Sequence, residues 1–234
     1  MDLRCKLYQS MTLNKDKQEQ VFEENRKAQR AGESYRLGIM GGTFDPVHYG
    51  HLAVAETVYW KMDLGSVMFV PSRQPPHKKE RWISPVEHRY QMTLLATASN
   101  PHFWVSRQEI ERSGYSYAID TVREVKRIFG PHLEAYFIVG TDALLDLLSW
   151  KDIVELIDLC FFIVASRPGY DFIEARPNHL FSDRGEKIKT VEVPSLAISS
   201  TDIRERVIRG KPIRYLLPEA VEQYIWSSQL YSAV

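Results

Sequence analysis

The sequence predicts an α/β fold: a Rossmann-like open parallel sheet with helices on both faces, preceded by an N-terminal helical extension. Three observations lead there. From residue 35 onward, short apolar runs alternate with stretches of helical periodicity, the pattern of βαβ units. The runs AYFIV at 135–139 and CFFIVA at 160–165 are nearly unbroken apolar strands, which suits strands covered on both faces. A chain of 234 residues that is 44% hydrophobic can bury a substantial core, and we read one domain over 35–234 behind a polar extension over 1–34.

Residues 1–34 are rich in Lys, Glu and Gln, and Val21 and Phe22 form the only large apolar pair between Asn14 and Gly32. Propensity and capping predict an exposed helix from Asp16 to about Arg30, ended by Gly32, on a floppy or partner-docked segment. Strands are expected at 35–40, 66–70, 102–106, 134–139, 159–165 and 190–193, with helices at 51–62, 85–98, 118–128 and 143–148. Ligands of such sheets bind beyond the carboxyl ends of the strands, so the loops after Met40, Val70, Val139 and Ala165 are the places to look for a site.

Charge excludes some functions. Thirty basic residues balance thirty acidic ones, so no global field draws the chain to nucleic acid or to an anionic membrane, and phosphate-binding charge must be local. Cys5 and Cys160 are far apart and in no CxxC pair, which speaks against a disulfide framework or a thiolate zinc site and fits a reducing cytoplasm. Neither a signal peptide nor a run of about 18 apolar residues is visible, so a soluble, cytoplasmic protein is expected.

The first loop reads GGTFDPVHYGH. Gly41 and Gly42, followed by Thr43 and Phe44, end the first strand where backbone N–H groups can approach a phosphate. The pattern is neither GxGxxG nor a P-loop. His48 and His51, at i and i+3, bring two imidazoles to one side of a helix start near its positive end, where they can hold phosphate oxygens. A shared metal ion or plain capping would use the same spacing, although no nearby Cys or third His completes a zinc set. Asp45, ahead of Pro46, reads as an Asx-turn former.

Near the other end, Ser199, Ser200 and Thr201 precede an amphipathic helix carrying Ile203, Val207 and Ile208. Ser199 with Asp202 reads as a variant capping box, and the same helix start, with Arg204 one turn in, suits a polyphosphate. Arg206, Arg209, Lys211 and Arg214 read as a solvated basic face. Between the two ends, the Pro-rich loop PSRQPPHKKERW offers His77 and Lys78. SYAIDTV offers Ser116, Tyr117, Asp120 and Thr121, as ligand contacts or as a helix cap. In VGTDALLDLLSW, Gly140 permits close backbone approach, Asp142 can accept ribose hydroxyls or cap a helix, and Trp150 can stack on a ring or lie in the core.

GGTFDPVHYGH resembles the GTFDPxHxGH signature of the HxGH nucleotidyltransferases, with Val47 where Ile is commoner, and its Gly-Gly start looks most like bacterial nicotinate-nucleotide adenylyltransferases. The stretch ISSTDIR resembles the ISSTxIR motif, PPHK, HRYQM and SYAIDTV resemble further family segments, and SRPGY at 166–170 does so with Arg167. The likeness runs from about Tyr35 to Ile225. It implies ATP as donor, with Mg²⁺ bound through the nucleotide and no protein metal cage, and nicotinate mononucleotide as acceptor. By resemblance, His48, His51 and Arg204 are catalytic, and Gly41, Gly42, Thr43, Phe44, Ser199, Ser200 and Thr201 join them in holding ATP. Lys78, Tyr117, Thr121, Gly140, Asp142, Trp150 and Arg167 contact the mononucleotide. NMN or phosphopantetheine as acceptor, a non-catalytic nucleotide sensor and a zinc hydrolase stay open at this point, as does the oligomeric state, a homo-oligomer included.

Overall fold

The computed structural model describes residues 2–76, 82–141, 146–166 and 185–232. The first element is a long helix, α1 (Leu3–Ala31). Strand β1 (Tyr35–Gly42), helix α2 (Tyr49–Lys61) and strand β2 (Ser66–Pro71) form the first βαβ unit. Helix α3 (Val86–Thr97), strand β3 (Phe103–Val105), the short helix α4 (Gln108–Glu111) and helix α5 (Ala118–Phe129) lead back to the middle of the sheet at β4 (Leu133–Gly140). Helix α6 (Ile153–Leu159), strands β5 (Phe161–Ser166) and β6 (Ile188–Glu192), and helices α7 (Ser200–Ile208) and α8 (Glu219–Ser227) complete it.

Among the described residues six strands form one sheet in the order β3-β2-β1-β4-β5-β6, each paired parallel to its neighbour. This is the Rossmann order, and the pleat lets both of its faces be packed. Alternate residues of the near-continuous apolar strands feed two cores, one on each face. Met40, Phe69, Ile138 and Ile163 pack with α2, α3, α7 and α8 on one face. Leu37, Ile39, Met68, Val70, Phe137 and Val139 pack with α5 and α6 on the other. Pairing of Gly42 with Pro71 and of Gly140 with Ala165 brings the carboxyl ends of four central strands to one rim.

Helix α1 differs most from the sequence expectation. It begins at Leu3 rather than near Asp16, and it lies along the domain against α3, β3, α8 and β1. Its inner face is largely polar, with Ser10, Asn14 and Asn25 buried beside Val21. Ser10 bonds back within its own helix, to the Lys6 carbonyl (2.8 Å), and the two asparagines serve backbone groups beyond it. Asn14 Nδ2 donates to the Val105 carbonyl (3.0 Å) while its Oδ1 accepts from Val105 N–H (2.7 Å), so one amide closes the free edge of β3. Asn25 donates to the Phe129 carbonyl at the end of α5 (2.9 Å). Lys17 donates to the Thr97 and Ala98 carbonyls at the end of α3, and burial lowers its pKa to about 8. Gly32, at φ 71, ends the helix as expected.

The strand expected over 159–165 begins only at Phe161, because α6 occupies the preceding residues. Cys160 is buried, as anticipated, but stands between helix and strand rather than within the strand. Ile208, read as part of an apolar helix face, is 55% exposed, while Ile203 and Val207 are buried. The helix expected over 143–148 lies mostly outside the described residues; a 3₁₀ turn covers Leu147–Ser149.

Candidate active site

Strand order reverses between β1 and β4, and a cleft of about 820 Å³ opens there, beyond the carboxyl ends of the strands. Gly41, Gly42, Thr43, His48 and His51 form one wall, and Ser116, Tyr117 and Ala118 another. Gly140, Thr141 and Trp150 lie between them, and Leu196 and Ile198 close the side next to α7.

His48 and His51 meet as their spacing predicts, with ring centroids 3.8 Å apart. His48 is the N-cap residue of α2, and its backbone N–H donates to His51 Nδ1 (3.2 Å), which leaves Nε2 as the donor nitrogen of a neutral His51 ring. The His48 ring folds back over the His51 N–H, but that N–H is held by the His48 carbonyl (3.0 Å), so His48 Nδ1 is buried with no hydrogen-bond partner. Gly50 makes the fold-back sterically feasible: a Cβ there would lie 2.9 Å from His48 Cε1 and Nδ1. Burial lowers the His48 pKa to about 4, so at neutral pH this wall presents neutral imidazole and the positive end of α2. Among the described residues, no group of three or more His, Cys, Asp and Glu side chains is placed to hold a metal ion.

Phe44 is not on the cleft surface. It is buried at 2% exposure, holds φ 50, and packs edge-on to His51 at 5.2 Å, so it supports the histidine from beneath. Asp45 is not an Asx-turn residue. Its carboxylate is buried and accepts from the Tyr231 hydroxyl (2.7 Å) and the Ser84 N–H (3.2 Å), tying the end of the chain to the first loop. Arg89, from the HRYQM segment, is 1% exposed and donates to three carbonyls: Thr43 (2.7 Å), Ser84 (2.9 Å) and Arg73 (3.2 Å). One buried guanidinium thus holds the first loop and both flanks of the Pro-rich loop, its pKa lowered by burial and partly restored by the charge of Asp45.

The start of α7 reaches the first loop across 154 residues of sequence: Ser200 Oγ donates to the Pro46 carbonyl (2.8 Å). Ser199 Oγ caps the helix by accepting from Asp202 N–H (3.1 Å). Arg204 donates to the Asp45 carbonyl (2.6 Å) and to Thr201 Oγ1 (3.2 Å), its guanidinium tied down at the junction of the two loops. Arg206 and Arg209 pair one turn back with Asp202 and Glu205, as a solvated face would.

On the opposite wall, Tyr117 lines the cleft with Lys151 Nζ 4.7 Å from its ring centroid, and Gly140 presents open space where a side chain would stand. Trp150 satisfies both of its readings, since it lines the cleft and packs edge-on against Phe137 and Phe162. Thr121 is 1% exposed and lies beneath the wall, its hydroxyl donating to Glu109 Oε1 (2.6 Å). Lys78, Asp142 and Arg167, together with His77, lie outside the described residues. Glu109 and Lys151 line the cleft and were missed; Lys151 follows a Trp with no motif around it, and Glu109 sits in EIER, where acid alternating with apolar reads as surface helix.

The chain matches the cytidylyltransferase-like family over residues 39–206. It is 57% identical over 199 residues to a protein of Moorella thermoacetica named "Probable nicotinate-nucleotide adenylyltransferase", covering 84% of this chain and 91% of that one. A Thermoanaerobacter protein of the same name is 54% identical, over 84% of this chain and 94% of its own. Among solved structures, the Plasmodium falciparum nicotinic acid mononucleotide adenylyltransferase complexed with NaAD superposes with a TM-score of 0.67 at 21% identity. That superposition covers 84% of this chain and 97% of the other, a likeness of fold.

Proposed function

The chain belongs to the cytidylyltransferase-like family and, within it, to the nicotinate-nucleotide adenylyltransferases, and we propose that it transfers the adenylyl group of Mg-ATP to nicotinate mononucleotide. The products are deamido-NAD and pyrophosphate, a step of NAD biosynthesis. The observation that carries this is the meeting of two phosphate-suited helix starts, those of α2 and α7, across the Ser200 to Pro46 hydrogen bond at the rim of one cleft.

A phosphate oxygen of the mononucleotide, ionised at neutral pH, attacks the α-phosphorus of ATP; the bond to the β-phosphate oxygen breaks and pyrophosphate leaves. No proton has to be removed from the nucleophile, so the work is positioning and electrostatics. His51, through Nε2, and the His48 ring, which burial keeps neutral, line the cleft where they can donate to the α-phosphate. The backbone of Gly41 to Thr43 shapes its site. Ser199, Ser200, Thr201 and Arg204 receive the pyrophosphate, Arg204 already oriented by the Asp45 carbonyl. Mg²⁺, bound with the triphosphate, would help to neutralise the charge of the leaving pyrophosphate and would be held by phosphate oxygens and water, with Ser199, Ser200, Thr201 and Arg204 beside it.

Tyr117, Gly140 and Trp150 receive the mononucleotide, with Lys78, Asp142 and Arg167 completing its contacts, and Thr121 acting from beneath. Free thiols at Cys5 and Cys160 suit a reducing cytoplasm. The test is pyrophosphate release with Mg-ATP and three acceptors in parallel. Strong release with nicotinate mononucleotide is expected; release with phosphopantetheine alone would keep the chemistry and overturn the acceptor.

A further inference from the structure

The reaction as described leaves one cleft acid without a role. Glu109 is only 6% exposed, yet it is part of the cleft wall on the side of Tyr117. It stands on α4, a helix of four residues that cannot hold itself in place. Its carboxyl accepts the Thr121 hydroxyl at 2.6 Å and has Arg112 Nη2 at 3.9 Å; burial raises its pKa, and the Thr121 and Ser116 hydroxyls oppose that rise. Ser116 and Thr121 bracket Tyr117 in sequence and hold the first turn of α5. Ser116 Oγ also accepts from Arg73 N–H (2.9 Å), and Arg73 Nη1 donates back to the Arg112 carbonyl (3.2 Å), so the carboxyl is the buried hub of a closed network.

Resting on the reading that this wall receives the acceptor, we propose that Glu109 is a positioning residue for the mononucleotide: its carboxyl fixes the first turn of α5 through Thr121, whose hydroxyl also lies against the Tyr117 carbonyl, so that Tyr117 stands in the cleft. Among the described residues its hydrogen-bond and ion-pair partners, Thr121 and Arg112, lie on the acceptor side, whereas His51 and Arg204 on the phosphate wall are held by their own partners. Loss of the carboxyl should therefore be felt by one substrate and not the other.

Glu109→Ala and Glu109→Gln test this in the intact chain, with KM measured separately for ATP and for nicotinate mononucleotide. The alanine variant should raise the mononucleotide KM by about tenfold and leave the ATP KM within about twofold. Glutamine retains Oε1 as an acceptor for Thr121 and should recover most of the loss. Equal changes in both KM values, or none in either, overturn the proposal. Should the alanine variant fail to fold, Thr121→Val removes the donor alone and must show the same split. Hydrogen exchange at residues 116–118 reads the positioning without turnover: faster exchange confined to that turn in Glu109→Ala is expected, and unchanged exchange overturns it. An inactive wild-type chain with normal exchange differences would instead overturn the acceptor assignment and spare the positioning role.

Discussion

The two walls of the cleft are assembled differently: the phosphate wall joins two locally capped helix starts through bonds from Ser200 to Pro46 and from Arg204 to Asp45, across 154 and 159 residues, whereas α5 on the acceptor wall has no side-chain cap of its own. On the phosphate side, His51 caps its own helix by accepting the His48 N–H, and Ser199 caps α7 by bonding three residues ahead. The acceptor wall is held from a distance. Glu109 reaches Thr121 across 12 residues, Ser116 reaches Arg73 across 43, and Val105, which leads into α4, has its edge closed by Asn14 from 91 residues away. Local hydrogen-bond patterns recur at fixed spacings and are visible in a sequence, whereas distant ones depend on the completed sheet. Mutations near the phosphate wall should act on chemistry or on one helix, and mutations behind the acceptor wall should act on geometry far from the change.

The largest expected effect is at the histidines. His51→Ala removes a donor facing the reacting phosphate and, with it, the acceptor of the His48 N–H, at a cost of only about 1 kcal/mol of stability. It should lower kcat by about 10²- to 10³-fold, read by pyrophosphate release. An equal loss from a buttress variant such as Asn14→Ala would erase the contrast between the walls.

His48 adds a pH signature confined to the phosphate side. Its folded pKa, lowered to about 4, lies below the ordinary 6.5, so the unfolded chain takes up that proton first. Its contribution is complete above pH 6.5 and is lost as pH falls towards 4, a decline of about 3 kcal/mol from this one group. Denaturant titrations at successive pH values should show that decline, and His48→Asn should flatten it.

Asn14→Ala sharpens the comparison from the other side. It leaves the N–H and C=O of Val105 without the side-chain amide, although Gln18 still donates to the carbonyl (2.9 Å), and should cost about 1–3 kcal/mol in denaturant melts. Helix propensity slightly favours the alanine, so a loss of stability must come from the edge of β3. The smallest effect belongs to Ser199→Ala, about 1 kcal/mol for a lost N-cap, with the ATP KM rising and the mononucleotide KM steady.

The same contrast explains how much could be read in advance. The sheet, the strand-end loops and the two phosphate motifs were legible because apolar period and capping residues are local signals. Helix α1 was read from Asp16 because its buried face is made of Ser10, Asn14 and Asn25, and the partners of the two asparagines are backbone groups more than 90 residues away. Asp45 looked like a turn residue because its partner, Tyr231, is 186 positions distant. Thr121 had been assigned to the cleft surface, and only the α4 to α5 packing shows that its hydroxyl serves Glu109. Helix α6 was hidden because IVELIDL runs directly into the apolar strand that follows it.

The most direct test of the adenylyl-transfer account labels the nucleophile. Nicotinate mononucleotide carrying ¹⁸O in its phosphate, incubated with unlabelled Mg-ATP and the purified chain, should yield deamido-NAD that retains every labelled oxygen, one of them in the new phosphoanhydride bridge, together with unlabelled pyrophosphate. Label appearing in the pyrophosphate, or loss of label to water, would contradict direct attack of the mononucleotide on the α-phosphorus.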